Sequence, residues 1–142
     1  MVRRQLIQGL PMLLGAIAVG NSLSLANAAA RSGPDTALID AAQDCVKNGE
    51  ICAAHCVTML EQGDRALAEC QRRVNETVAV CQALASLAAQ ESPVTKQLAG
   101  LVLEVCRSCE QECRKHEKKH AVCKECAEAC VACARECKRA MT

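Results

Sequence analysis

Residues 106 to 137 read CRSCEQECRKHEKKHAVCKECAEACVACAREC, and this stretch decides the fold. Eight of the 13 cysteines fall in it, at 106, 109, 113, 123, 126, 130, 133 and 137. Within each cluster the gaps alternate between three and four residues. An α-helix keeps i, i+3, i+4 and i+7 on one face, because it turns once in about 3.6 residues. A metal knuckle on a loop, or a disulfide scaffold, has no reason to hold that rhythm over four turns. The pattern therefore predicts two facing helices whose inward stripes are written in thiols.

The same reading extends upstream. Residues 92 to 116 predict the third helix, with Ser92 as N-cap and Pro93 in the first turn. Its stripe is Ala99, Val102, Cys106, Cys109 and Cys113. The polar loop Lys115-His116-Glu117-Lys118-Lys119-His120 leads into the fourth. Ser32-Gly33-Pro34-Asp35 supplies a breaker and an N-cap for a first helix over residues 36 to 61. Leu38, Ala41, Ala42, Cys45, Cys52, Cys56, Met59 and Leu60 share one face of it. Gly49 inside this helix reads as a weak spot, costing about 1 kcal/mol against alanine. Gln62-Gly63-Asp64 ends the first helix. Residues 65 to 90 form the second, with Cys70, Val74, Val78, Cys81, Leu84 and Leu87 or Ala88 facing in.

Reversal of the chain at Gly63 matches thiols by height. Cys56 and Cys70 are each seven residues from Gly63, and Cys45 and Cys81 are each eighteen from it. Around Lys118 the same mirror pairs Cys113 with Cys123, Cys109 nearly with Cys126, and Cys106 with Cys130. The fold class is thus all-α: an antiparallel up-down-up-down four-helix bundle with a cysteine-lined core. Both turns lie at one end, and the thiols extend along the axis for roughly 27 Å at about 1.5 Å per residue.

Composition supports this architecture and removes other classes. The 142-residue chain is 51% apolar yet has no Phe, Tyr or Trp, so Leu, Val, Ala and Cys must fill the core. The net charge is +1 with no basic patch, which speaks against nucleic acid as a partner. Residues 1 to 28 place Arg3 and Arg4 before an apolar run from Leu10 to Leu25, ending in small residues up to Ala28 or Ala30. That is the build of an export signal resembling the twin-arginine type, with Sec as the alternative. The expectation is an exported, periplasmic protein comprising a 29–142 domain, with no stable membrane insertion once the signal is removed.

Three chemistries suit such a thiol density. Cross-helix disulfides are feasible but would leave most of the column unused, because i, i+4 neighbours have nearly parallel Cβ directions. Zinc or iron–sulfur binding is imitated by Cys106-x2-Cys109 and Cys123-x2-Cys126, although zinc takes closed sets of four. Cu(I) is soft, selects thiolates, and accepts two or three sulfurs, so bridging thiolates let a whole column fill. Each Cu(I) also neutralises a thiolate that a dry core could not otherwise hold. A redox enzyme is disfavoured because catalytic thiols are few and exposed. The first reading is therefore a Cu(I) store and not an enzyme. The alternatives are a disulfide- or zinc-stabilised exported helical protein, or a copper chaperone of low stoichiometry.

Cys106-x2-Cys109-x3-Cys113, the His116/His120 loop and Cys123-x2-Cys126-x3-Cys130-x2-Cys133-x3-Cys137 are similar to the four-helix-bundle copper storage proteins of bacteria. Asp44-Cys45, Cys52-x3-Cys56, Cys70, Cys81 and Ser92-Pro93 fit the same pattern. The resemblance implies a homotetramer of bundles storing many Cu(I) ions per chain. It points to the exported, twin-arginine branch of that family. All 13 cysteines are candidate ligands: Cys45, Cys52, Cys56, Cys70, Cys81, Cys106, Cys109, Cys113, Cys123, Cys126, Cys130, Cys133 and Cys137. Met59, His55, His116 and His120 are further candidates at the mouth, where the two loop histidines could pass copper inward.

Overall fold

The computed structural model of the chain describes residues 32–142. Four helices account for nearly all of them: α1 (Thr36–Glu61), α2 (Ala68–Ala89), α3 (Thr95–Arg114) and α4 (Ala121–Met141). A short 3-10 turn, Arg65–Leu67, leads into α2. There is no strand among the described residues, and no helix among them is long and apolar enough to cross a membrane. The leader assigned to residues 1–28 lies outside the described residues.

Local chemistry sets the helix ends. Asp35 caps α1, accepting a hydrogen bond from the Leu38 amide at 3.2 Å. Gly63 takes φ +92°, a left-handed conformation that glycine adopts without a Cβ penalty, and reverses the chain between α1 and α2. Asp64 then caps the 3-10 turn through the Ala66 amide. The start of α3 departs from the expectation at Ser92-Pro93. The Ser92 carbonyl accepts the Thr95 amide at 3.1 Å, so residues 92–95 form a turn and the helix begins two residues later. Proline at the second position of a β-turn meets its fixed φ as well as it would in a first helical turn.

Each helix packs on its two neighbours around a square, α1 against α2 and α4, α3 against α2 and α4; among the described residues no diagonal pair of backbones comes close, and only inward side chains such as Cys81 and Cys133 meet across it. The α1–α2 and α3–α4 turns lie at the same end, because His120 at the start of α4 reaches both His55 of α1 and Asp64 beyond Gly63. At the other end Arg139 of α4 holds both carboxylate oxygens of Asp35, at 2.7 and 2.8 Å. Burial tends to raise the Asp35 carboxyl, but the Arg139 guanidinium and the Leu38 amide outweigh it and hold it low.

The core divides along its length. Leu38, Leu84, Ala88, Ala99 and Val102 are fully or nearly fully buried and form a hydrocarbon section. From there toward the turns, the interior is lined by cysteine, and Leu67 is buried with it. Of the two candidates at 87 and 88, Ala88 is the one that faces inward. Ala41, Met59, Leu60 and Val78 are only half-buried at the edges of the stripe.

Gly49 is the position where the sequence misleads. It is buried, and a Cβ built on it would lie 2.6 Å from Cγ2 of Val78. The residue marks a close approach of α1 to Val78 of α2, so its missing side chain serves packing. Because valine is stiff about χ1, Val78 cannot swing aside cheaply. Gly49→Ala should therefore lose stability: overpacking costs about 1–3 kcal/mol, against about 1 kcal/mol gained in helix propensity. Thermal unfolding of the reduced protein checks this, and Gly49→Ala combined with Val78→Ala should regain what the single change lost.

Candidate metal centre

All thirteen cysteines are fully buried, and none is in a disulfide. α1 contributes Cys45, Cys52 and Cys56; α2 contributes Cys70 and Cys81; α3 contributes Cys106, Cys109 and Cys113. Cys123, Cys126, Cys130, Cys133 and Cys137 come from α4. Every one occupies an inward position because the three- and four-residue spacing keeps it on the face that meets the other helices.

The sulfurs gather into groups whose Sγ atoms all lie within 4.8 Å of one another. One is Cys52, Cys56 and Cys70; a second is Cys52, Cys113 and Cys126; a third is Cys109, Cys126 and Cys130; a fourth is Cys45, Cys81, Cys106 and Cys133. The first three are chained, since Cys52 belongs to two of them and Cys126 to two. The fourth joins them through Cys45 and Cys130, whose sulfurs are 3.8 Å apart. Cys123 lies 3.8 Å from Cys52, alongside this chain. Cys137, one turn on from Cys133, lies beyond the groups and interacts with Cys133. The result is one continuous column of sulfur.

Height matching across the hairpins holds where Cys45 meets Cys81 and where Cys56 meets Cys70. Several of the shortest sulfur contacts, however, run between hairpins: Cys70 to Cys113 at 3.7 Å, Cys52 to Cys123 at 3.8 Å and Cys81 to Cys106 at 3.9 Å. Cys113 and Cys123, expected as partners, each find a closer one across the square. Inward side chains of a four-cornered bundle meet both neighbours, and a linear mirror about one turn sees only one of them.

With metal–sulfur bonds of about 2.3 Å, two sulfurs flanking a linear ion stand about 4.6 Å apart and those around a trigonal ion about 4.0 Å. The separations in the column match this range, while a disulfide would need sulfurs at about 2.05 Å. The thiols also share protons unevenly. Hydrogen bonds with Cys106 and then Cys130 pull Cys45 down to about 6, against burial. Cys81 and Cys130 are pushed up, first by Cys106 and then by other thiols and burial, and Cys113 is pushed up first by Cys109. A low-dielectric interior resists collecting several thiolates unless cations enter with them.

The histidines separate into two settings. His55 Nε2 and His120 Nδ1 are 2.8 Å apart, and His120 Nε2 is 3.8 Å from the Asp64 carboxylate. This pair lies one residue before Cys56 and three before Cys123, at the turn end of the column. His116 instead turns to Glu112, 3.3 Å away, so it is not brought beside His120. Glu112 is buried, and although desolvation works to raise it, Lys115 and His116 hold it low. Met59 packs on the core as a half-buried side chain. The joining of His55 to His120 and Asp64 went unread in the sequence, though His55 precedes Gly63 by eight residues and His120 follows Lys118 by two, which puts both near the same end.

A family model described as copper storage protein matches residues 32–142. An uncharacterised cysteine-rich protein of Bacillus subtilis is 32% identical over 102 residues, 72% of this chain and 91% of that protein. The Cu(I)-bound copper storage protein BsCsp3 is 31% identical, with a TM-score of 0.69 over 75% of this chain and 97% of that one. A copper storage protein from Streptomyces lividans, solved with 10 copper equivalents, is 28% identical with a TM-score of 0.69, covering 78% of this chain and 88% of that one. Another Streptomyces lividans structure, at 27% identity and a TM-score of 0.69 over 75% of this chain and 90% of that one, is of a protein described as cytosolic.

That last finding overturns the exported, periplasmic location expected from the first 28 residues. Alkylation of the native, reduced protein should be slow, and alkylation after denaturation should mark thirteen thiols by mass spectrometry. A shortfall after denaturation would mean that disulfides have formed.

Proposed function

This chain belongs to the copper storage protein family, and from that premise we propose that its whole sulfur column is the store, with all thirteen cysteines as Cu(I) ligands. The protein binds and stores multiple Cu(I) ions through thiolates that line the core of its four-helix bundle. The observation that carries this reading is the sharing of Cys52 and Cys126 between neighbouring groups. A thiolate that belongs to two groups can bridge two ions, and bridging turns a set of small sites into a filled column. Storage requires no reaction at the thiols beyond loss of a proton to each incoming ion.

Titration of the reduced protein with Cu(I) against a competing chelator should show many ions per chain, on the order of the number of thiols. Saturation at one or two ions would favour a chaperone. Cys52→Ser should lower capacity more than Cys137→Ser, because Cys52 belongs to two groups and Cys137 to none.

His55 and His120 are proposed to receive copper at the turn end and hand it to Cys56 and Cys123, with Met59 as a softer neighbour. His116, engaged by Glu112, plays a smaller part. Replacing His55 and His120 together by alanine should slow loading in stopped-flow measurements while leaving final capacity nearly unchanged; an unaltered rate would remove them from the route. Assembly as a homotetramer is also proposed. The exposed Ile51, Val57, Leu101 and Val131 offer apolar surface for it, and light scattering tests it.

A further inference from the structure

Three of the sulfur groups supply three ligands each, and two of these take a pair from a single helix. Cys52 and Cys56 both belong to α1, and Cys126 and Cys130 both belong to α4. The fourth group is built differently. Cys45, Cys81, Cys106 and Cys133 come one from each of α1, α2, α3 and α4, at one level of the bundle. All four sulfurs lie within 4.8 Å of one another, and Cys81 is 3.9 Å from both Cys106 and Cys133.

Those separations have a chemical meaning of their own. A tetrahedral ion with metal–sulfur bonds of about 2.3 Å spaces its four sulfurs about 3.8 Å apart. Cu(I) is satisfied by two or three thiolates, so a closed set of four is more than it needs. A divalent d10 ion such as Zn2+ takes four, without preference for any other geometry. We propose that Cys45, Cys81, Cys106 and Cys133 form a tetrathiolate site for a divalent thiophilic cation, Zn2+ in the cell, which ties the four helices together at one level when copper is scarce.

Binding converts four thiols to thiolates, each releasing its proton to solvent, and leaves the site with two negative charges in excess. The Cys130 thiol, 3.8 Å from Cys45, is placed to donate a hydrogen bond to the Cys45 sulfur and share part of that charge. The hydrocarbon section formed by Leu84, Ala99 and Val102 continues the core beyond the thiols and keeps water from competing for the ion. An ion held by one ligand from every helix opposes separation of any pair of them. It therefore stabilises the folded bundle, by an amount that rises with the logarithm of its affinity and free concentration.

The site draws its four ligands from the copper store, rests on that reading of the column, and differs from it in its ion, its ligand number and its geometry. Its test uses Co2+ as the probe, added anaerobically to the reduced, copper-free full chain. One Co2+ should bind per chain, with an intense sulfur-to-cobalt charge-transfer band and the visible bands of a tetrahedral tetrathiolate. Zn2+ should bleach these bands one for one, and thermal unfolding should shift upward with Zn2+ present. Cys81→Ser should lose the tetrathiolate spectrum. Cys133→Ser supplies a second test if the first variant does not retain helical content by circular dichroism. Cys56→Ser, which lowers copper capacity, should keep the cobalt spectrum. A spectrum without tetrahedral bands, a stoichiometry above one, or bands that survive in both Cys81→Ser and Cys133→Ser would overturn the site. The same preparations are titrated with Cu(I). Full copper capacity without a cobalt band removes the divalent site alone, whereas loss of both removes the store as well.

Discussion

Thiols facing one another in a dry interior are the constraint on which the rest of the structure depends. A cysteine is small and nearly apolar while protonated, so it can fill a core that contains no aromatic ring. Once ionised it cannot remain there alone. The bundle is thus stable as a reduced protein and also prepared for cations. The helix packing, the turns and the absence of large side chains all serve to bring sulfur within a metal–sulfur bond length of a common centre.

Registration of the helices is what makes sulfur columns out of sulfur stripes. Four amphipathic helices could slide by a turn and still bury their apolar faces. Here the turn end is set by the reversal at Gly63 together with the His55–His120–Asp64 contacts, while the Arg139–Asp35 pair at the other end is half-exposed and adds little. Close approach at Gly49 against Val78 sets the distance between α1 and α2. Surface ion pairs such as Arg73 with Glu69 are exposed and add little, so the geometry of the core rests on packing and on these few contacts.

Much of this was legible in the residues. The three-and-four spacing located the inward stripes, and burial of every cysteine follows from it. Helix α1 spans the residues that its caps indicated. The start of α3 was less legible, because Ser-Pro suits a turn as well as a helix N-terminus. Gly49 was misread for a related reason: propensity describes an isolated helix, and the value of the missing Cβ appears only when Val78 lies against it. Partnering of sulfurs between hairpins was hidden because a mirror drawn along one chain segment contains no information about the other two helices. The cellular location inferred from the leader failed on a different ground, since the relatives that share this core include one described as cytosolic.

The division of the core into a hydrocarbon section and a thiol section has a consequence for traffic. Leu38, Leu84, Ala88, Ala99 and Val102 close one end with side chains that offer no ligand, Cys137 being the last thiol toward them, while the other end carries imidazoles and the Asp64 carboxylate. Such a vessel is a blind tube with one workable opening. Ions that enter such a tube from its open end would fill it inward, and those lodged deepest would be the last to leave.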